Sequence, residues 1–220
     1  YKNIFKLLPG HMVTISLKSP EPKVHQYWSA VNLALKSNKK NIFSNDHEAT
    51  NALERTLKTS INKQMISDVP VGSYLSGGMD SGSIAAVASK HVDRLSTFTC
   101  GFDMNEATGR EANFDERKDA ELMANHFKTE QFEQVMNAGD IRYSLPKLVY
   151  HLEDLRVGMS YPNYYISRLA SKFVKVCLQG TGGDELFGGY PWRYYKVFDS
   201  LSQKEFFNQY YNFCEYYKNF

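Results

Sequence analysis

The sequence predicts an α/β fold in which a parallel sheet carries helices on both faces. Between residues 46 and 178, apolar runs of strand length alternate with longer amphipathic segments of helical period. This alternation is typical of parallel strands that are connected by crossover helices. Two of the apolar runs also lead into glycine-rich loops, at residues 76–81 and 180–190. Ligands of open parallel sheets bind beyond the carboxyl ends of the strands, so these loops are the first place to look for a site.

The composition is that of a globular chain. Of the 220 residues, 42% are hydrophobic, which is enough for one sizeable core and part of a second domain. The 26 basic and 24 acidic residues are mixed along the chain and leave a formal charge of +2, which argues against nucleic acid as a partner. No apolar run approaches the length of a membrane span, so we expect no membrane partner.

The cysteines and the chain ends support two further expectations, about the location of the protein and about its length. Cys100, Cys177 and Cys214 are far apart and lack the spacing of a disulfide framework or a zinc site, which favours a reducing, cytoplasmic location. The chain begins with Tyr1 and ends in an aromatic-rich stretch. We therefore expect a piece of a longer protein.

The first 45 residues predict a short N-terminal β segment and a connection. Residues 4–8 and 12–17 are extended in character and are separated by Pro9-Gly10, a turn dipeptide, which predicts a hairpin. Residues 19–46 are poorly periodic and rich in Pro, Lys and Asn. We expect the β segment to occupy residues 1–20 and a linker to occupy residues 21–45.

Regular elements are predicted from residue 46 onward. Asp46 is an acceptable N-cap, and apolar residues at helical spacing follow it. The predicted elements, in chain order, are a helix at 46–65, a strand at 68–75, a helix at 81–91, a strand at 95–100, a helix at 115–126, a strand at 129–135, helices at 140–152 and 161–172, a strand at 173–178 and a helix at 202–220.

The loop Ser-Gly-Gly-Met-Asp-Ser at residues 76–81 lies between a predicted strand and a helix N-terminus. Unpaired N–H groups and the helix dipole favour an anion there, and the glycines allow a close approach of the backbone. The loop contains neither the Walker A sequence nor Gly-x-Gly-x-x-Gly. A plain turn would use similar residues, but two hydroxyls and a carboxylate in one turn favour phosphate binding.

The second loop has five glycines within the eleven residues 180–190, which is unlike an ordinary turn. If the strands that precede the two loops are neighbours, Asp80 and Asp184 would face each other across a phosphate group. Two carboxylates together with phosphate oxygens make an acceptable Mg²⁺ site. The sequence therefore predicts a magnesium–nucleotide site that is built by two separate loops.

These motifs resemble those of a known protein family. Ser-Gly-Gly-Met-Asp-Ser resembles the pyrophosphate loop of the N-type ATP pyrophosphatases, which implies an adenine nucleotide alpha hydrolase-like fold. Asp-Val-Pro-Val-Gly at residues 68–72 and Gly-Gly-Asp-Glu-Leu-Phe-Gly-Gly-Tyr at 182–190 narrow it to the synthetase domain of the glutamine-dependent asparagine synthetases. The similarity covers about residues 46–195. It implies that residues 1–20 are the tail of a glutaminase-type domain and that 46–220 are an ATP-pyrophosphatase domain cut short at its C-terminus.

The resemblance implies a two-step ligase reaction. ATP would activate a side-chain carboxylate, with aspartate as the default, as an acyl-adenylate, and ammonia from glutamine hydrolysis would then displace AMP. ATP and Mg²⁺ are the implied cofactors. The acceptor carboxylate and glutamine-derived ammonia are the implied partners, and a homodimer is one option for the assembly.

The resemblance also implies roles for individual residues. Asp80 and Asp184 correspond to the magnesium ligands of the family. The departing pyrophosphate, whose charge needs donors and metal as it develops, would be held by four residues of the first loop: Ser76, Gly77, Gly78 and Ser81. The adenine and ribose contacts correspond to the backbone around five residues: Tyr74, Leu75, Cys100, Gln179 and Gly180.

One position departs from the family pattern. The family usually has Ser-Gly-Glu-Gly where this chain has Gln-Gly-Thr-Gly at residues 179–182, so Thr181 replaces a glutamate implicated in forming the adenylate and handling the amine. A threonine cannot serve as a carboxylate base. Either another acid such as Glu185 or Glu153 does that work, or the acceptor is not aspartate. Three alternatives therefore stay open: an asparagine-forming enzyme, the same chemistry on a sugar carboxylate or in a β-lactam-type cyclisation, and a nucleotide-binding module without catalysis.

Overall fold

A computed structural model describes residues 3–37, 43–105, 115–137, 139–152 and 160–191, together with residues 202, 204, 205 and 208. The chain divides into two compact units, Tyr1–Thr56 and Leu57–Phe220. The sheet that carries the glycine-rich loops belongs to the second unit.

The first unit contains a two-stranded antiparallel hairpin. Strand β1, His11–Ser16, pairs with β2, Ser19–Gln26, across a turn at residues 17–18. The prediction of a hairpin around Pro9-Gly10 is wrong, because residues 4–8 form no strand. The turn at Pro9-Gly10 precedes β1 and does not join two strands. There, His11 N–H donates to the Leu8 carbonyl oxygen at 3.2 Å.

The prediction that residues 19–46 form an irregular connection is also wrong for residues 19–37, which the structure describes. Strand β2 runs to Gln26, and helix α1 follows at Ala30–Ser37. Pro20 and Pro22 are two residues apart, so their missing N–H groups lie on the same side of β2. A strand tolerates prolines on an edge that pairs with nothing. The role of residues 21–45 as a linker stays a prediction.

The second unit contains a four-stranded parallel sheet, as predicted. Its strands are β3 Val71–Tyr74, β4 Ser96–Phe102, β5 Glu130–Met136 and β6 Val176–Leu178, in the spatial order β5-β4-β3-β6. Strand β6 is shorter than the predicted strand at 173–178. The N–H groups of Phe173 and Val174 both donate to the Ala170 carbonyl oxygen at 3.0 Å, so these two residues complete the preceding helix instead of joining the sheet.

The helices predicted from residue 46 to residue 172 are confirmed, with ends shifted by a few residues. They are α2 Asp46–Gln64, α3 Met79–Ala88, α4 Arg117–Phe127, α5 Asp140–Leu152 and α6 Ser160–Ala170, and a short helix α7, Gly183–Phe187, was not predicted. The α2 N-cap is Asn45 and not Asp46, because the Asn45 side-chain oxygen accepts a hydrogen bond from Glu48 N–H at 2.9 Å. Most of the helix predicted at 202–220 lies outside the described residues.

Helices cover both faces of the sheet, which confirms the predicted fold class. Successive residues of a strand point to opposite faces, and in β6 the neighbours Cys177 and Leu178 pack in different clusters. Cys177 belongs to a cluster with Ile166 of α6, whereas Leu178 belongs to one with Ala88 of α3. Within the described ranges, no helix is both long and apolar enough to cross a bilayer.

The strand order places the two glycine-rich loops side by side. The chain passes from β3 to β4 and β5 in one direction, and β6 then returns to pair with the other edge of β3, where Val71 lies opposite Val176 and Ser73 lies opposite Leu178. Ligands of open α/β sheets bind at such a reversal, beyond the carboxyl ends of the strands. The loops that follow β3 and β6 both leave the sheet at that edge.

Candidate active site

The first loop is shaped by its two serine hydroxyls. The Ser76 and Ser81 oxygens lie 2.8 Å apart, Ser76 N–H donates to the Ser81 hydroxyl at 3.0 Å, and Gly78 N–H donates to the Ser76 hydroxyl at 3.2 Å. Ser81 is buried, so this network is sheltered from solvent. The hydroxyls therefore hold the turn from β3 into α3 in one conformation.

Helix α3 begins directly at this turn, so the N-terminus of the helix adjoins the first loop. Its N-cap, Gly78, offers no side-chain acceptor. The Gly78 carbonyl oxygen accepts a backbone hydrogen bond from Gly82 N–H at 3.1 Å. The N–H groups of the first turn have no intrahelical partner and carry the positive end of the helix dipole. Asp80 also lies in this first turn, so a carboxylate stands beside the N–H groups.

The second loop lies against Asp80. A Cβ atom added at Gly180 would lie 3.0 Å from the Asp80 Cβ, and one added at Gly183 would overlap the Asp80 carboxylate, with Oδ1 at 2.7 Å. Gly182 and Gly188 have φ angles of 107° and 71°, which strongly favour glycine. The glycines of this loop therefore allow both its turn and its close approach to the first loop.

Short helix α7 holds the next two acidic residues. The Glu185 carboxylate accepts hydrogen bonds from Gly182 N–H at 3.0 Å and from the Tyr190 hydroxyl at 3.3 Å. It satisfies the N-cap N–H of α7, which is the glutamate half of a capping box, because the N-cap Gly182 has no side chain. The Asp184 side chain fills the space beside Gly189, where an added Cβ would overlap it. Glu185 is thus engaged in holding the loop.

A cavity of about 840 Å³ opens between the two loops. Twelve of the residues predicted from the sequence line it: Tyr74, Leu75, Ser76, Gly78, Asp80, Ser81, Cys100, Gln179, Gly180, Thr181, Asp184 and Glu185. Gly77 does not line it and faces α4 instead, where an added Cβ would lie 2.7 Å from the Asp119 Cβ. Glu153 lies outside the described residues.

The cavity also has a wall that sequence reasoning missed. Strands β4 and β5, the N-cap of α4 and helix α6 contribute Phe98, Met136, Glu116, Asn163, Ile166 and Ser167. The Ser167 hydroxyl lies 3.0 Å from the Tyr74 hydroxyl and links α6 to β3. The α6 residues have the i, i+3, i+4 spacing of one helix face, but only the tertiary structure shows what that face meets.

Two thiols of this unit are held in the protonated state. Burial raises the pKa of Cys100 to about 12 and that of Cys177 to about 11, because a thiolate is poorly solvated in an apolar setting. Burial also raises the pKa of the Tyr74 phenol. At neutral pH, Cys100 therefore contributes an uncharged wall to the cavity and not a nucleophile.

Comparison with known proteins identifies the family of this chain. The family model for asparagine synthase matches residues 52–215. The chain belongs to the asparagine synthase family.

Two sequence relatives agree with this assignment. A provisionally named glutamine-hydrolysing asparagine synthetase of Methanocaldococcus jannaschii is 31% identical over 86% of this chain and 35% of its own length. Asparagine synthetase 1 of Bacillus subtilis, also named glutamine-hydrolysing, is 36% identical over 70% of this chain. The chain spans 24% of the length of that second relative. A solved NH3-dependent NAD synthetase from Campylobacter jejuni matches at a TM-score of 0.40, with 15% identity over 76% of this chain and 72% of its own.

The carboxylates of the cavity suit one kind of metal. No group of three or more His, Cys, Asp or Glu side chains in the described ranges would hold a metal by itself. Mg²⁺ is commonly held by one or two carboxylates together with substrate phosphates. Asp80 and Asp184 supply that donor set on the wall of one cavity, and their carboxylates lie where a Cβ at Gly183 or Gly189 would otherwise be. The residues present therefore fit Mg²⁺ bound together with a nucleotide.

Proposed function

We propose that this chain is the ATP-using part of an amide-forming ligase. ATP reacts with a side-chain carboxylate to give an acyl-adenylate and pyrophosphate, and ammonia then attacks the acyl carbon and displaces AMP. One observation carries the proposal: Asp80 of the first loop lies against Gly180 and Gly183 of the second, so an anion-binding helix N-terminus and both loops open into one cavity.

The first loop would take the β- and γ-phosphates. The N–H groups at the start of α3 have no intrahelical partner, and at a helix N-terminus they would stabilise the charge of the leaving pyrophosphate. The hydroxyls of Ser76 and Ser81 stabilise the loop through their mutual hydrogen bond. Donors that are in place before the reaction need no reorganisation as charge develops, which is the main source of this kind of rate enhancement.

Asp80 and Asp184 would hold Mg²⁺. When bound, the ion would neutralise part of the negative charge on the phosphates. The two carboxylates come from different loops, and the packing of Gly183 on Asp80 keeps the loops together. Displacement of either carboxylate would therefore weaken both the binding of the phosphates and the contact between the loops.

Aspartate is the default acceptor, and glutamine-derived ammonia is the proposed amine, because relatives carry the name glutamine-hydrolysing asparagine synthetase. A second candidate keeps the chemistry and changes the acceptor to another carboxylic acid. Thr181 favours it, because this exposed cavity residue replaces the family glutamate, and Glu185 is already engaged by Gly182 and Tyr190. Glu116, also on the cavity wall, is a further carboxylate within this site.

ATP–pyrophosphate exchange tests the proposal. Exchange would be measured for the wild-type chain with Mg²⁺ and either aspartate or a panel of other carboxylic acids, and for Asp80→Asn and Asp184→Asn. Each substitution should lower exchange by about 100-fold or more, the scale on which a preorganised charge-stabilising group contributes. Asp93→Asn is the matched control, because Asp93 is exposed and lies outside the cavity.

The outcomes separate the candidates. Exchange that depends on aspartate, with asparagine formed from aspartate and ammonia, supports the default acceptor. Exchange with a different acid and not with aspartate supports the second candidate. Exchange that persists in both carboxamide variants would refute the site assignment, and binding of Mg²⁺–ATP without any AMP produced across the panel would favour a nucleotide-binding module without catalysis.

A further inference from the structure

The start of helix α4 is tied to the end of strand β4 by Arg117. This residue is the first of the helix, and its guanidinium donates to the Phe102 carbonyl oxygen at 2.9 Å. Phe102 ends β4 and lines the cavity. Gly101 makes room for the arginine, because an added Cβ at Gly101 would overlap the Arg117 side chain, with Cγ at 2.7 Å. Arg117 therefore lies directly across the end of β4.

Asp115 holds the guanidinium of Arg117 in one orientation. The nitrogens Nε and Nη2 donate to Asp115 Oδ1 and Oδ2 at 2.9 and 2.6 Å, which is the two-bond pairing of an arginine with a carboxylate. The two side chains are only 25% and 10% exposed. The hydrogen bond from Arg117 also holds the pKa of Asp115 below its usual range, so the carboxylate stays ionised at neutral pH. Helix α4 therefore starts at a fixed position relative to β4.

The start of α4 packs against the backbone of the first loop. An added Cβ at Gly77 would lie 2.7 Å from the Asp119 Cβ and 3.4 Å from the Glu116 Cβ. Asp119 is in the first turn of α4, and Glu116 is the N-cap, one residue before Arg117. Closely packed groups transmit a displacement to their neighbours. A shift of the start of α4 would therefore displace the loop at Gly77.

We propose that Arg117 is a positioning residue for the phosphate-binding loop. Through the first turn of α4, it holds the backbone at Gly77 and the N–H groups that follow it in the geometry that binds the β- and γ-phosphates. Arg117 is not among the described residues that line the cavity, so it acts through the packing of α4 and not by touching the nucleotide. The inference rests on the proposed ATP site and adds a residue behind the loop that sets its affinity for phosphates.

The β- and γ-phosphates are the part of the nucleotide to vary. Calorimetric titrations with Mg²⁺ would compare ATP with AMP, which lacks both phosphates, on the wild type, Arg117→Ala and Asp115→Ala. Each substitution should weaken the binding of ATP about tenfold, which corresponds to about 1.4 kcal/mol, or about one hydrogen bond to a charged group. The affinity for AMP should change much less, because AMP lacks the two phosphates that the loop binds. The ratio of the two affinities is therefore the readout.

Asp115→Ala separates positioning from charge. It keeps the arginine and removes a negative charge beside it, so a purely electrostatic effect of Arg117 would strengthen the binding of ATP in this variant. Loss of the fixed orientation would weaken it instead. Arg117→Lys keeps the charge but cannot form the same fork of bonds to Asp115 and Phe102, so it should also weaken the binding of ATP. This variant answers the question if Arg117→Ala does not fold.

Arg94→Ala is the matched control for the loss of an arginine–carboxylate pair. Arg94 lies 3.9 Å from the Glu130 carboxylate, and the two side chains are 71% and 41% exposed. Neither residue is among those that line the cavity, so the control should keep the wild-type ratio. A substitution that only loosens the fold would lower the affinities for ATP and AMP in proportion and leave their ratio unchanged.

The results distinguish this inference from the proposed function. A variant at position 115 or 117 that keeps the wild-type ratio, or an Asp115→Ala protein that binds ATP more tightly, overturns the positioning role of Arg117. Binding of ATP by the wild type would still support the proposed function in that case. A wild type that does not bind ATP overturns both.

Discussion

The contact between the two loops makes Gly183→Ala the sharpest test of the site. Gly183 is the first residue of α7, and an added Cβ there would overlap the Asp80 carboxylate, with Oδ1 at 2.7 Å. The overlapping atoms are the end of a side chain and not backbone. We therefore expect the carboxylate to move aside while the fold stays intact.

The expected effects on stability and activity differ in size. Overpacking in a rigid site costs about 1–3 kcal/mol, but a flexible carboxylate relieves most of it, and alanine is favoured over glycine in a helix by up to about 1 kcal/mol. The free energy of unfolding should therefore change by less than about 1 kcal/mol. A misplacement of a reactive or metal-binding group by about 1 Å can lower a rate by about 100-fold. Gly183→Ala should thus lose ATP–pyrophosphate exchange while its Tm changes little.

The assay pairs exchange rates with thermal unfolding for Gly183→Ala and for a matched control. Gly139→Ala serves as the control, because the nearest atom to its added Cβ is the Asn137 side-chain oxygen at 3.4 Å, an ordinary contact away from the cavity wall. The control should keep both properties. A Gly183→Ala protein with exchange within about threefold of wild type, well short of the expected loss, would show that the position of Asp80 against the second loop does not matter for the reaction.

Two other predictions concern Glu185 and Cys100. Glu185→Gln keeps an acceptor for Gly182 N–H and should cost little stability, whereas Glu185→Ala removes the capping interaction and should lower the free energy of unfolding by about 1 kcal/mol in urea titrations; equal stability of the two variants would contradict a capping role. Burial raises the pKa of Cys100 to about 12, so its thiol stays protonated up to about pH 10, and alkylation by iodoacetamide, followed by peptide mass spectrometry, should stay slow there. A rate that rises through pH 8–9 as for a free cysteine, whose pKa is about 8.5, would contradict the buried placement of Cys100.

Local patterns predicted the second unit well and the first unit poorly. Strands and helices between residues 46 and 178 follow from hydrophobic periodicity, because each buries one face in a common core. In the first unit, residues 4–8 and Pro20-Glu21-Pro22 gave misleading signals. Apolar residues predicted a strand in the first segment and prolines predicted irregular chain in the second, whereas pairing with β1 decides which segment becomes β2.

The candidate site was predictable in part. Glycine, serine and aspartate marked six residues that line the cavity between the loops, since these residue types are typical of turns and anion sites: Ser76, Gly78, Asp80, Ser81, Gly180 and Asp184. Other predicted lining residues, such as Tyr74, Cys100 and Gln179, came from the family resemblance. The apolar wall was not predictable, because Phe98, Met136 and Ile166 look like ordinary core residues in the sequence.

The sequence by itself determined the strand–loop–helix at residues 71–88, because its glycines, its serines and the helix start act over a few neighbouring residues. Only the tertiary structure decided that the loop at residues 180–190 completes this site. That outcome depends on β6 returning across the sheet to pair with β3, a contact between residues about a hundred positions apart. Pairing over such a distance depends on the packing of the whole sheet, which places the Asp80 carboxylate against Gly183.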